Sequence, residues 1–101
     1  MKKIFKYELF SCTNFSLEMP KNFKVLKLDM QYGNKTMWAE VDLDSPVEQV
    51  YFKCLCTGDE APLGYEHIGT IMVQEDYLLH YYKEVSIGEK LIKSMGGMFS
   101  C

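Results

Sequence analysis

Residues 26–43, which read LKLDMQYGNKTMWAEVDL, decide the fold class. Apolar and polar side chains alternate on both sides of Gly33–Asn34. A period of two indicates strands, and a Gly-Asn pair between two such runs is typical of a tight hairpin. We expect one face of the first strand to carry Leu26, Leu28, Met30 and Tyr32. The inner face of the return strand, residues 35–43, is predicted to be Met37, Ala39, Val41 and Leu43.

The same alternation extends outward along most of the chain. It predicts further strands near residues 4–9, 15–19, 49–57, 67–74 and 77–84, with a stop at Pro20 and a turn at residues 44–46. Short strands with turns every 8–12 residues are typical of antiparallel sandwiches and small barrels. We therefore predict an all-β, or β-rich α+β, domain over residues 1–85: an antiparallel sandwich or barrel of five to seven strands.

The pattern changes after residue 85. Ser86 and Glu89 have the spacing of a capping box, and Ile87, Leu91 and Met95 recur every four residues. Gly96–Gly97 would end the helix. The sequence thus predicts one short C-terminal helix over residues 86–96, in a tail (86–101) that belongs to the same domain. Such a short helix needs a surface to dock on, either its own sheet or another protein.

Charge and composition exclude several classes of function. The chain has 101 residues, a formal charge of -3, and no Arg among its 11 basic residues. This argues against duplex DNA as a partner. No stretch resembles a signal peptide or a membrane span. We therefore expect a protein of the cytoplasm whose cysteines are reduced: Cys12, Cys54, Cys56 and Cys101.

No catalytic or cofactor signature stands out. His67 and His80 are the two histidines, and their spacing from Cys54 and Cys56 is not that of a zinc site. Residues 57–60 lack the spacing of a phosphate loop. The acidic pairs read as solvated carboxylates: Glu40/Asp42, Asp59/Glu60 and Glu75/Asp76. We expect no enzyme, no metal and no cofactor.

The aromatic content, with seven Tyr, six Phe and one Trp, is the unusual property. Alternation places several of these rings opposite apolar positions, so we expect them at the surface, where Tyr and Trp are enriched in binding hot spots. The alternative is that a second sheet or the helix covers them. The predicted binding residues are Trp38, Tyr51, Asp59, Glu60, Tyr65 and Tyr81.

Several segments, taken in order, carry a resemblance. They are Lys6-Tyr7-x-Leu9, Phe15-x-Leu17-x-Met19-Pro20-Lys21, Lys24-Val25-Leu26, Trp38-Ala39-x-Val41-Asp42, Phe52 with Thr57-Gly58, Tyr65-x-x-Ile68-Gly69-Thr70 and His80-x-Tyr82. Over residues 4–84 the chain resembles an uncharacterised family of small proteins from tailed bacteriophages and prophages. The resemblance implies a phage origin and expression in the cytoplasm of a bacterial host, and it carries no assigned activity.

Three functions remain open at this stage. The first is a non-enzymatic phage accessory protein that binds a host or phage protein, inhibiting or modulating a host defence protein. The second is a homo-oligomeric sponge for a small nucleotide signal, with bases stacked on Tyr or Trp and phosphates held by Lys. The third is a minor virion or assembly component.

Overall fold

The computed structural model describes residues 1–11, 13–74 and 77–85, which form two antiparallel sheets packed as a sandwich. The predicted helix over residues 86–96 lies outside the described residues. The strand order is β1-β4-β3 in the three-stranded sheet and β2-β5-β7-β6 in the four-stranded sheet. The strands are β1 (Lys2–Glu8), β2 (Asn14–Pro20), β3 (Phe23–Gln31), β4 (Asn34–Asp42), β5 (Val47–Cys56), β6 (Tyr65–Gln74) and β7 (Tyr77–Glu84).

One long hairpin, bent in the middle, supplies two neighbouring strands to each sheet. Residues 14–20 pair with 47–53 in the four-stranded sheet, and residues 23–31 pair with 34–41 in the three-stranded sheet. Two backbone bonds continue the pairing through the bend: Lys21 N–H donates to Pro46 O (2.8 Å) and Asp42 N–H donates to Asn22 O (3.1 Å). The hairpin is therefore folded over on itself, and its two halves face each other.

The position of the bend follows from the residues that interrupt the two strands. Proline cannot donate to a ladder, and it ends β2 at Pro20 and precedes β5 at Pro46. Ser45 Oγ accepts from Asn22 N–H (3.3 Å) and donates to Asp42 O (2.8 Å). The predicted turn at residues 44–46 is confirmed, and it is the place where the chain passes from one sheet to the other.

The hairpin tip differs from the prediction by one residue. The turn residues are Tyr32 and Gly33, whose φ angles of 51° and 80° are typical of a type I′ turn. Tyr32 is therefore 93% exposed and does not share the inner face. A bulge between Val25 and Lys27 moves Leu26 outward as well. Of the four residues predicted to share one face of β3, only Leu28 and Met30 pack against the core.

The core lies between the two sheets. The predicted inner stripe of β4 is confirmed for Met37, Ala39 and Val41, whereas Leu43 lies beyond the strand and is partly exposed. On β5, in the facing four-stranded sheet, buried residues alternate with outward-facing ones, as expected. The buried apolar residues of the cluster are Leu9, Met19, Met37, Ala39, Val41, Val50, Phe52, Cys54, Ile71, Leu79 and Tyr81.

The sandwich is closed on one side where the edge strands β3 and β6 approach each other. Gly69, on β6, faces the Leu28 side chain, and a Cβ added at Gly69 would lie 3.1 Å from the nearest carbon of that side chain. The absence of a side chain at this position permits the close approach. Gly69 also adjoins a bulge of β6, which lies between His67 and Gly69.

We expect Gly69→Ala to lower the free energy of unfolding by about 1–2 kcal/mol, because the new methyl group overpacks against Leu28. Urea denaturation of the purified protein measures this change. The double variant Gly69→Ala/Leu28→Ala is the control: it should be more stable than the sum of the two single changes predicts. Strictly additive losses would contradict the contact.

Candidate functional site

The outer faces of the two sheets have different chemistry. Cross-strand pairing puts charged residues on the outer face of the three-stranded sheet, including Lys2 beside Asp42 and Lys24 beside Glu40. The outer face of the four-stranded sheet carries aromatic, aliphatic and imidazole side chains together with three charged ones, Glu18, Lys53 and Glu84. We call it the tyrosine–histidine face and define it by Tyr51, Leu55, Tyr65, His67, Thr70, Leu78, His80 and Tyr82.

A chain of side-chain hydrogen bonds runs through the centre of this face. His80 Nε2 lies 2.8 Å from Thr57 Oγ1, and His80 Nδ1 lies 3.0 Å from Thr70 Oγ1. Thr70 Oγ1 in turn lies 3.0 Å from His67 Nε2. The two histidines of the protein are thereby joined through a single hydroxyl group, and the chain ties β6 and β7 to the start of the β5–β6 connection.

The Thr70 hydroxyl group is shared by both imidazole rings. A hydroxyl group donates one hydrogen and accepts up to two, so Thr70 can satisfy both rings at once.

Aromatic rings surround these histidines. The Tyr82 ring meets the His67 ring edge-on, with centroids 5.2 Å apart. Lys53 Nζ lies 5.2 Å from the Tyr65 ring centroid and donates to Asn14 Oδ1 (2.6 Å). Tyr51 keeps 51% of its surface exposed. The arrangement combines one exposed tyrosine and two half-buried ones with polar groups that are already oriented, and tyrosine is enriched in binding hot spots.

The structure separates the residues that the sequence grouped into one surface. Tyr51 and Tyr65 lie on the tyrosine–histidine face. Trp38 lies on the outer face of the opposite sheet, flanked across the strands by Lys6 and Lys27. These three aromatic residues cannot contribute to one flat contact.

Asp59 and Glu60 lie in the connection over residues 57–64, which joins β5 to β6. β5 and β6 lie on either side of β7, and both run antiparallel to it. The connection between them therefore has to run the length of β7. Asp59 shapes its first turn, because Asp59 Oδ2 accepts from Cys56 N–H (2.7 Å) and Asp59 N–H donates to Cys56 O (3.0 Å). Asp59 therefore has a local structural role, and Glu60 is exposed beside it.

The expectation that Tyr81 is exposed is wrong. Tyr81 pairs with Cys54 and Gly69 on the inner side of the four-stranded sheet and is fully buried. Its hydroxyl group donates to Phe10 O (3.1 Å). Burial away from water raises the pKa of this hydroxyl group well above its usual range. Both faces of β7 are apolar or aromatic, and the face that carries Tyr81 is the buried one, not the exposed one.

A polar cleft adjoins the tyrosine–histidine face at the edge where β3 and β6 meet. Its volume is about 350 Å³. Lys83 leans across one wall, with its Nζ 5.4 Å from the Phe23 ring centroid. His67 belongs to both the cleft and the face. The lining residues are Phe23, Lys24, Val25, Glu66, His67, Ile68 and Lys83.

In the described part of the chain, no group of three or more His, Cys, Asp or Glu side chains is placed to hold a metal ion. Cys54 and Cys56 point to the same face of β5, as expected, and are not joined in a disulfide. The described residues contain no helix with the length and apolar character that crossing a membrane requires.

Comparison with known proteins adds one match. A family model described as a domain of unknown function (DUF7352) matches residues 1–90. No curated protein and no solved structure matches the chain. The match spans all seven strands, and it assigns no chemistry to the tyrosine–histidine face.

We expect Thr70→Val to uncouple the two histidines. Valine keeps the branched shape of threonine but removes the hydroxyl group that both rings contact, so the free energy of unfolding should fall by about 1 kcal/mol. The imidazole ¹⁵N chemical shifts of both His67 and His80 should change together. Thr13→Val, at an exposed position, is the matched control. Unchanged imidazole signals in Thr70→Val would rule out the hydrogen-bond chain.

We expect Tyr81→Phe to lower the free energy of unfolding by about 1 kcal/mol at pH 7, because the bond to Phe10 O is lost. The raised pKa of Tyr81 makes the wild-type protein lose stability above about pH 10, where this tyrosine ionises in the unfolded chain first. The phenylalanine variant lacks that loss. Urea denaturation between neutral and alkaline pH should therefore show the difference shrinking as pH rises, and a constant difference would contradict the assignment.

Proposed function

This chain belongs to the DUF7352 family, and we propose that it acts without catalysis, by binding a protein partner through the tyrosine–histidine face. The observation that carries the proposal is the difference between the two outer faces. Lysines and carboxylates pair across the outer face of the three-stranded sheet, as is typical of a solvated surface. On the tyrosine–histidine face Tyr51 is exposed, and the other aromatic and aliphatic residues are half-buried: Leu55, Tyr65, Leu78 and Tyr82. Tyrosine and aliphatic side chains at a sheet surface are typical of an interaction surface.

The shape of the face supports a protein as the partner. A four-stranded sheet with strands of 7 to 10 residues presents roughly 500–600 Å², taking about 4.8 Å between strands and 3.3 Å per residue. Specific protein interfaces bury roughly 800 Å² on each side. The connection over residues 57–64 returns along β7 and is part of the same surface, and together they approach that size. Asp59 and Glu60, which lie in this connection, then belong to the contact.

The polar centre of the face indicates the chemistry of the partner. His67, Thr70 and His80 are already oriented by their mutual bonds, so a partner group can bind them at a low cost in side-chain entropy. Because both ring nitrogens of His80 are hydrogen-bonded to threonines, the donors that favour an acidic or carbonyl group on the partner are His67 Nδ1 and the nearby Lys53 Nζ. The surrounding Tyr51 and Tyr82 favour an apolar rim around that group.

We further propose that the partner is a host protein, and that the chain is an accessory protein of a phage acting in the bacterial cytoplasm. The resemblance to small phage proteins supports this proposal. Binding to a defence protein would then inhibit or modulate it by occupying its surface.

The cleft beside the face favours a second candidate, a small anionic ligand such as a nucleotide. Lys24 and Lys83 contribute ammonium groups to a cavity of about 350 Å³, and Phe23 contributes a ring. That volume is within the range of small-molecule sites. A thermal shift on adding nucleotides, lost in Lys83→Ala, would support the candidate, and the absence of any shift would rule it out.

We expect Tyr51→Lys to abolish capture of the partner while the fold is kept, because a charge replaces the most open ring of the face. The measurement is an affinity pull-down of the tagged protein from bacterial lysate, read by mass spectrometry for a stoichiometric protein. Tyr32→Lys is the matched control, since Tyr32 is 93% exposed at the far hairpin tip. It should retain the partner.

Two results would contradict the proposed face. One is a partner retained equally by Tyr51→Lys and Tyr32→Lys. The other is a partner lost in Trp38→Ala, which would move the contact to the charged outer face of the three-stranded sheet.

A further inference from the structure

Strand β1 is an open edge of the three-stranded sheet. It pairs with β4 on one side and has no strand on the other among the described residues. Six of its seven residues are exposed. Two of them are large and apolar: Ile4 is 64% exposed and Phe5 is 40% exposed. An exposed edge that carries apolar side chains is a template for pairing with another strand.

The backbone pattern shows which groups of β1 are available. Met1 O accepts from Leu43 N–H (2.9 Å) and Leu9 N–H donates to Lys35 O (2.8 Å), so both residues at the ends of β1 bond toward β4. Residues directly opposite each other in an antiparallel pair alternate between bonded and non-bonded. The odd-numbered residues therefore bond to β4. The even-numbered residues direct their N–H and C=O groups to the open edge: Lys2, Ile4, Lys6 and Glu8.

Charge and the length of overlap together select one way in which this edge can pair with a copy of itself. A two-fold axis keeps inner side chains opposite inner ones, so residues of equal parity must pair. With Phe5 on the axis the whole of β1 overlaps, Lys2 lies opposite Glu8 of the copy, and Ile4 lies opposite Lys6. With the axis at Ile4, Lys2 would lie opposite Lys6, and with the axis at Lys6, the two copies of Lys6 would lie opposite each other. Like charges directly opposite each other are destabilising. An axis at residue 3 or 7 would leave only three residues of β1 overlapping.

From this we propose that two copies of the chain pair along β1, antiparallel, with Phe5 on the two-fold axis. The pairs Lys2–Glu8 and Ile4–Lys6, each formed twice, use the open N–H and C=O groups. Phe5 sits at a non-bonded pair, where side chains approach most closely, and packs against Phe5 of the copy. The result is one continuous six-stranded sheet with the order β3-β4-β1-β1-β4-β3.

This surface is separate from the tyrosine–histidine face. β1 belongs to the three-stranded sheet, and the face belongs to the outer side of the other sheet. A dimer through β1 therefore leaves both copies of the face open. Each dimer would present two identical partner-binding surfaces.

The test uses two charge reversals and their mixture. In a Lys2→Glu dimer, two carboxylates would face each other at each end of the interface. In a Glu8→Lys dimer, two ammonium groups would face each other at each end. We expect each variant alone to dimerise about tenfold more weakly than the wild type. In an equimolar mixture both ends are complementary again, so the heterodimer should recover wild-type affinity. Sedimentation equilibrium measures all four samples, and thermal unfolding confirms that each variant is folded.

A second variant tests the backbone pairing. Ile4→Pro removes an N–H group that points to the open edge and leaves the bonds to β4 in place, so it should abolish the dimer while the monomer stays folded. A wild-type chain that stays monomeric up to millimolar concentration overturns the proposal. So does a dimer whose affinity is the same in Lys2→Glu, in Glu8→Lys and in their mixture.

Discussion

The rest of the structure depends on the backbone hydrogen bonds that carry a single hairpin ladder around a bend. Lys21 to Pro46 and Asp42 to Asn22 keep the two chain segments paired while they pass from one sheet to the other. The bent hairpin supplies β4, the central strand of one sheet, and β5, an inner strand of the other. β1 and β7 add to these two strands. Because the hairpin folds over its own inner face, the core forms between its halves and no separate connection has to hold the sheets together.

Much of this architecture could be predicted from residue spacing. Alternation predicted the strands and the inner stripe of β4, and the prolines marked the bend. The inner and outer sides of β7 could not be told apart, since Leu79 and Tyr81 alternate with Leu78 and Tyr82, which are also apolar or aromatic. Only the position of β7 between two strands, with Gly69 and Cys54 opposite Tyr81, decides which side is buried.

The candidate site was missed for a different physical reason. Counting back from a two-residue turn at 75–76 would pair His80 with residue 71, whose side chain belongs to the core. A bulge of β6 between Met72 and Gln74 shifts the register so that His80 lies opposite Thr70, and a second bulge, between His67 and Gly69, places His67 opposite Tyr82. A bulge adds a residue without a clear sequence signal, and each one moves the later side chains to the other face. The hydrogen-bonded chain between the histidines is therefore a product of the irregularities, which only the folded sheet displays.

The strand order has a consequence for how the chain assembles. β6 hydrogen-bonds only to β7 within its sheet, and β7 follows it in the sequence. As a ribosome releases the chain from its N-terminus, β1 to β4 have all their partners once β5 has emerged, and β5 then lacks only β7. β6, in contrast, has no partner until β7 follows. Residues 65–74 must wait, unpaired, until residues 77–84 follow and join β5. The tyrosine–histidine face, which takes its histidines from these two strands, is then the last surface of the protein to form.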